Sequence, residues 1–366
     1  MIRADAVIVG GGPAGSTCAG ALRRAGWDVL VVDRALFPRD KVCAGWLTPD
    51  VFTELDLLPE DYASNGLTLQ RISGFRTGVI GRTMIETTYP RIVSYGILRR
   101  EFDHFLLQRS GARVSQGTPV ETLRRTPSTW VINENIETPI VIGAGGHFCP
   151  VARQLRGGAD SAQPIVAKEA EFPRRDHASG PAARTPSLYF CRDLEGYGWC
   201  VPKGDYLNVG IGRRHRHEFS THVTDFVAFL EASGIHAGSA DVRWHGHAYF
   251  ASGIGPRPLV DQGVVMIGDA AGLAYPESGE GIRPSIQSGK LAAATLIAAR
   301  GRHDIDDLQP YAEAIRAAHP AASRTPAPIR AVAAMAGRFL LQSPAFSRRV
   351  VLDRWFLRGS VPRATP

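Results

Sequence analysis

The chain has 366 residues, 44% hydrophobic and 21% charged, enough to bury the cores of two domains. Its net charge of +7 suits an anionic ligand or surface, but the basic residues are dispersed outside the C-terminal stretch and no nucleic-acid motif accompanies them, which excludes a nucleic-acid partner. No apolar run approaches the roughly 20 residues of a membrane span, and five cysteines without CxxC spacing exclude a disulfide framework or a structural zinc site.

The opening MIRADAVIVGGG has none of the character of a secretory signal and reads as a first strand, so a cytoplasmic location is expected. Asp5 to Val9 and Val29 to Val32 are short apolar runs of the kind buried in a parallel sheet. Pro13 to Ala25 between them reads as a helix stopped at Gly26, completing a βαβ unit. Residues 68–95 alternate in character and predict strands, and Arg99 to Gln108 predicts an amphipathic helix. Pro139 to Gly143 returns as a buried strand.

From Ile165 onward the texture changes to short β-prone runs: Ile165–Ala170, Ser187–Cys191, Gly198–Val201, Tyr206–Ile211 and Val242–Phe250. They predict an antiparallel sheet, interrupted by a Pro- and Arg-rich loop from Phe172 to Pro186. Gly263 to Gly268 is again a buried strand, followed by a Gly-rich turn and a helix from Ile282 to Ala299. Ile329 to Arg358 reads as a core-packing tail with a solvated face, the alternative being amphipathic helices on an anionic membrane surface.

Gly10-Gly-Gly12-Pro13-Ala14-Gly15 fits the dinucleotide fingerprint directly after a strand and at the start of a helix. Its glycines permit the tight turn, the approach of a pyrophosphate to backbone N–H groups and close helix–strand packing. Asp33, at the end of the second strand, is placed to bond the ribose hydroxyls of an adenosine, with Arg34 beside it. A second Gly-Asp motif, Gly268-Asp269, follows a buried strand far along the chain and points to FAD, its carboxylate suited to a ribityl chain. Gly279, Gly281 and Ile282 open the following helix, whose positive end would stabilise charge on a reduced flavin.

These motifs, with Arg99-x-x-Phe102-Asp103, resemble the FAD-binding elements of the p-hydroxybenzoate hydroxylase fold. Within it the chain is similar to the geranylgeranyl reductase family. Pro38-Arg39-Asp-Lys41-Val-Cys43-Ala-Gly45 resembles that family's PRxKxCGG segment, Tyr197-Gly-Trp199-Cys-Val-Pro-Lys203 with Gly210 its YxWxFPKxxxxxxG signature, and Gly268 to Lys290 its third conserved segment. The resemblance implies hydrogenation of isolated alkenes in an apolar isoprenoid chain. Tyr197 and Trp199, two apart on a strand, would then wall the substrate, while Cys200 looks away. Cys43, after the cations Arg39 and Lys41, is the candidate acid or a small space-filling hydrophobe; the same cations are candidates for FAD phosphates.

Gly145 stands where relatives carry an aspartate associated with joint FAD and NAD(P)H handling, so the electron donor is expected to be NAD(P)H or a reduced carrier such as ferredoxin, a redox partner protein. Cys149 reads as a packing residue, and His215, His217, His245 and His247 as solvated or hydrogen-bonded imidazoles rather than metal ligands.

The expected class is α/β: a Rossmann-like ββα FAD-binding domain formed by 1–67, 96–160 and 254–305, an inserted antiparallel substrate domain formed by 68–95 and 161–253, and a helical C-terminal segment, 306–366. The rivals on this fold are an aromatic monooxygenase or halogenase, and an FAD-bearing binding protein without turnover.

Overall fold

The structure, a computed structural model, describes residues 1–156, 164–214, 217–249, 258–320 and 336–358. The chain divides into two compact units. One comprises residues 1–40, 100–162 and 249–322; the other comprises residues 41–99, 163–248 and 323–366.

The first unit is built on a six-stranded sheet in the order Val260–Asp261, Val264–Met266, Ile140–Gly143, Ala6–Val9, Val29–Val32, Arg113–Ser115. Its central pairs are parallel, and the strands Ala6–Val9, Val29–Val32 and Ile140–Gly143 are buried at every position, which is why they carry no polar alternation. The helix Pro13–Arg24 starts on proline and ends in arginines, and Gly26 follows at φ 87°. It packs on the long helix Ile282–Ala298 so closely that a Cβ on Gly289 would lie 2.5 Å from the Ala14 carbonyl oxygen. A second, four-stranded sheet (Leu123–Arg125, Trp130–Ile132, Ile136–Thr138 and Ile2–Arg3) belongs to this unit and was not expected from the sequence.

The second unit centres on a seven-stranded sheet ordered His245–Tyr249, Ile165–Pro173, Tyr206–Arg213, Gly196–Lys203, Ser187–Phe190, Gly74–Val79, Ile85–Thr88. The strands run longer than their apolar runs because the ladder between Ile165–Pro173 and Tyr206–Arg213 stays in register from Val166 to Pro173. On one face the helix Phe219–Ala232 lays Phe226 against Gly198, in a core with Cys200, Val209 and Ile211. Trp46–Leu47, Gln70–Ile72 and Ser94–Gly96 form a small separate sheet.

The units fall differently from the expected boundaries. Residues 41–67 and 96–99 group with the second unit, where Trp46–Leu47 pairs with Ser94–Gly96. The expected C-terminal segment is split. The helix Ile305–Ala318 joins the first unit's core through Leu308, Tyr311, Ala312 and Ile315, and residues 336–358 join the second. The stretch expected as a loop, 172–186, continues the strand to Pro173 and holds short helical turns at Arg174–His177 and Pro181–Ala183. His215, Phe250 and the start of the 329–358 tail lie outside the described residues. No helix among the described residues is long and apolar enough to cross a membrane.

Tyr311 is fully buried and its hydroxyl donates to the Met266 carbonyl at 2.6 Å, tying the helix Ile305–Ala318 to the strand that precedes Gly268-Asp269. Tyr311→Phe leaves that carbonyl unpaired and is expected to cost about 1–2 kcal/mol, read as a lower urea midpoint at unchanged slope.

Candidate flavin and substrate sites

The fingerprint turn of the first unit is held by contacts that side chains would break. Gly10 has φ +117°, and a Cβ there would collide with the Ala144 carbonyl; one on Gly15 would collide with the Gly10 carbonyl. Gly12 differs: an added Cβ meets only the Arg39 guanidinium, at 3.6 Å, so the backbone is open on that side. No side chain caps the helix that Gly12 starts, and its first-turn N–H groups are available to an anion. Pro13 and Ala14 are buried beneath it.

Arg39 brings positive charge to this turn. Its guanidinium pairs with the fully buried Asp103 at 3.2 Å and lies over the Phe37 ring. Asp33 accepts from the Gly11 amide at 2.8 Å and from the Ala35 amide at 2.9 Å, which ties the turn to the end of the second strand. Each carboxylate oxygen keeps a further lone pair for a hydroxyl donor. Arg34 is exposed beside it.

Gly268, at φ +61°, abuts Ala14 and Ser285, and its amide donates to the Ser288 hydroxyl at 3.0 Å. The Asp269 carboxylate lies against Gly281, the residue that starts the helix at the buried Ile282. Gly279 closes a tight turn through its amide to the Tyr275 carbonyl. The two motifs are therefore brought together on the parallel sheet, around packed helices whose starts both lack side-chain caps. This is a cradle that fits a dinucleotide: an open glycine backbone, a cation beside it, and two carboxylates able to accept from hydroxyl donors. A Cβ at Gly145 would come within 3.1–3.3 Å of Cys149, so an aspartate there would crowd the turn.

Lys41 and Arg99 group with the second unit. Lys41 Nζ sits 2.9 Å from His247 Nε2, and Arg99 is buried.

In the second unit the strand Gly196–Lys203 alternates as the sequence implies. Gly198 and Cys200 turn to the helix-covered core, and Tyr197 and Trp199 share the other face with rings 6.1 Å apart. Tyr197 packs edge-on to Phe356, Phe356 stacks on Trp46, and Trp46 stacks on Phe75, making one aromatic face. Phe356 comes from the wide-turned π-helix Ser347–Phe356, whose Asp353 accepts from Tyr89 at 2.6 Å.

Trp199 is not an open wall. It is 7% exposed, its indole covers Gly210, and its N–H donates to Asn208 Oδ1 at 2.7 Å. A Cβ on Gly210 would run into that indole, which explains why glycine ends the tyrosine–tryptophan signature. Tyr197 is the more accessible of the pair.

Beneath this face lies a polar cluster with members sequence reasoning missed. Lys203 is wholly buried; its ammonium donates to Glu171 Oε2 at 2.5 Å and to the Cys43 carbonyl at 3.3 Å. Gly45, at φ +61°, makes room for it, since a Cβ there would lie 2.5 Å from the ammonium nitrogen. Glu169 Oε1 accepts from the Cys43 amide at 2.7 Å. Burial pushes the Glu169 carboxyl up to about 7, against the opposing pull of Lys203, the Cys43 amide and Asn208, with Glu171 adding repulsion. Glu169 and Glu171 lie two apart on one strand, and that spacing, which puts both carboxylates on one face, is the signal that marks them. Cys43 is the only partly exposed cysteine of the five; burial pushes Cys18 and Cys200 up to about 12.

A family model described as an FAD binding domain matches residues 3–95. Menaquinone reductase of Mycolicibacterium smegmatis is 31% identical over 325 residues, covering 80% of this chain and 76% of that protein. Geranylgeranyl diphosphate reductase of Rhodobacter capsulatus is 29% identical over 311 residues, covering 80% and 75%. A geranylgeranyl bacteriochlorophyll reductase-like protein of Thermoplasma acidophilum superposes with a TM-score of 0.73 at 22% identity, covering 93% of this chain and 88% of that one. Fold, cradle and matched domain together define an FAD-dependent oxidoreductase. Within that class the chain belongs to the geranylgeranyl reductase family.

Two outcomes follow from this geometry. Gly15→Ala forces a collision with the Gly10 carbonyl and is expected to abolish FAD retention, measured by flavin absorbance after desalting. Glu169→Gln removes a carboxyl that holds its proton to about pH 7 in the fold but releases it near pH 4.5 when unfolded. Wild-type stability therefore falls as pH rises through that window, and the variant should gain on it, by about 2–3 kcal/mol above pH 7 and by almost nothing at pH 4.5. Denaturant titrations across pH 4.5–8 check this.

Proposed function

We propose that the protein reduces carbon–carbon double bonds in an isoprenoid chain or a similarly apolar substrate, such as a prenylated quinone. The single observation that carries this reading is the aromatic cluster of the second unit, where Tyr197, Phe356, Trp46 and Phe75 run in contact, Phe75 and Phe356 buried and Tyr197 and Trp46 partly exposed. The two partly exposed rings offer an apolar chain surface to bury against and few polar groups to hold a small aromatic acid. Family membership, with relatives named for geranylgeranyl diphosphate and menaquinone, supports the same substrate class.

In this reading Gly10, Gly12 and Gly15 with Arg39 hold the FAD pyrophosphate, Asp33 the adenosine ribose, Asp269 the ribityl chain, and Gly281-Ile282 the flavin's carbonyl edge. Reduced FAD, when bound, supplies hydride. An unactivated alkene also needs a proton, and Cys43 is the group of this chain set to hold it at Sγ. Tyr197 lines the apolar chain and Trp199 supports it from beneath, its N–H already given to Asn208. Residues 1–40, 100–162 and 249–322 are the FAD-binding part; the other unit is the substrate part. In this reading the electron donor is NAD(P)H or a reduced carrier protein such as ferredoxin.

The test is anaerobic. The purified flavoprotein is reduced chemically and mixed with polyprenyl lipids while its visible band is followed. Reoxidation by lipid without oxygen is expected, and Cys43→Ala should slow it by about 100-fold, the usual range for loss of a general acid. A flavin that stays reduced with the whole lipid panel and reoxidises only when oxygen enters would replace this reading with that of a monooxygenase.

A further inference from the structure

The proposed reading uses Cys43 but leaves unexplained why a carboxyl is buried against its backbone. Glu169 is 5% exposed, Oε1 accepts from the Cys43 amide at 2.7 Å, and Oε2 is buried without a hydrogen-bond partner. A second carboxylate, Glu171, two residues along the same strand, claims the cluster's cation: Lys203 bonds Glu171 at 2.5 Å and spends a further hydrogen on the Cys43 carbonyl. Asn208 is engaged with the Trp199 indole and, at 3.4 Å, with Glu171. The cluster thus holds two carboxyls and one ammonium, and grips the Cys43 peptide from both sides, by its N–H and by its C=O.

We propose that Glu169 is a positioning residue for Cys43: its carboxyl clamps the Cys43 amide and so fixes the turn in which the Gly45 amide donates to Cys43 Sγ at 3.4 Å. An ionised carboxyl grips that amide by a charge-assisted bond and a neutral one by a weaker bond, so the hold on Cys43 changes with the charge of Glu169. The groups facing Glu169 are Lys203 from the strand Gly196–Lys203, Asn208 from the strand Tyr206–Arg213, Glu171 from its own strand and the Cys43 amide. Only Glu169 among them is a buried carboxyl lacking a cation of its own at bonding distance. Its rise to about 7 puts the change of charge within the working range of most enzymes. The inference rests on the reading of Cys43 as the proton-bearing thiol.

The experiment follows alkylation of Cys43 by iodoacetamide in the FAD-loaded protein from pH 5 to 10, with the site read by peptide mass spectrometry. No substrate is added. The wild-type rate should show two inflections, the lower one from Glu169. Glu169→Gln keeps an acceptor for the Cys43 amide but removes the charge; it should lose the lower inflection and keep the main one. Glu169→Asp should keep the two-step form. A single inflection in wild type overturns the proposal without recourse to any variant. So does a Glu169→Gln profile that superimposes on wild type. Because thiol reactivity is read without lipid, failure here leaves the alkene-reductase reading standing, and failure of the lipid assay leaves the clamp standing.

Discussion

An ammonium group with no exposure to water must be surrounded by groups that replace its hydration, and in the second unit that requirement falls on Lys203. Glu171 supplies the opposite charge, the Cys43 carbonyl supplies a second acceptor, and Gly45 supplies the space. Each of these depends on strand register. Lys203 lies opposite Tyr206 and Glu171 opposite Asn208, so a slip of one residue would turn one of the partners to the other face of the sheet. The cysteine–glycine segment and the tyrosine–tryptophan signature, far apart in the chain, are therefore two halves of one device. Removing either partner of such a buried pair typically costs about 3–5 kcal/mol, so neither half can drift without the other.

The first unit is governed by a different constraint, closeness of backbones. Gly10 and Gly15 let a turn fold onto itself, and Gly268 and Gly289 let two helices and a turn approach until Ala14 touches both. What remains exposed is backbone N–H at Gly12 with Arg39 beside it. Negative charge from a diphosphate is the natural complement to that surface. Asp33, with two amides already bonded, keeps lone pairs for further donors.

Features encoded by local spacing were legible in the sequence. The βαβ unit, the Gly-Asp turn and the facing of Cys200 away from Trp199 all follow from periodicity or from glycine positions, and the structure places them accordingly. Features made by distant pairing were not. Trp46 and Phe356 look like isolated aromatics, and only the folded second unit stacks them into one face with Tyr197. The tail read as a single segment because nothing local separates Leu308 and Tyr311, buried in one core, from Phe356, buried in the other unit. Trp199 reads as a pocket wall in the sequence because the partner of its indole N–H, Asn208, lies on the neighbouring strand. Glu169 escaped notice for the same reason: its importance comes from Cys43, 126 positions away.

The central claim is that the buried Lys203 charge holds the Cys43 segment in place. Hydrogen exchange of the backbone amides in FAD-loaded Lys203→Met tests it, since methionine keeps the length and apolar stem of the side chain and removes only its charge and donors. The account expects the Cys43 and Gly45 amides to lose protection while the amides of the strands Ile165–Pro173 and Tyr206–Arg213 keep theirs. Unchanged protection at Cys43 and Gly45 in a variant that has lost the ammonium would contradict it.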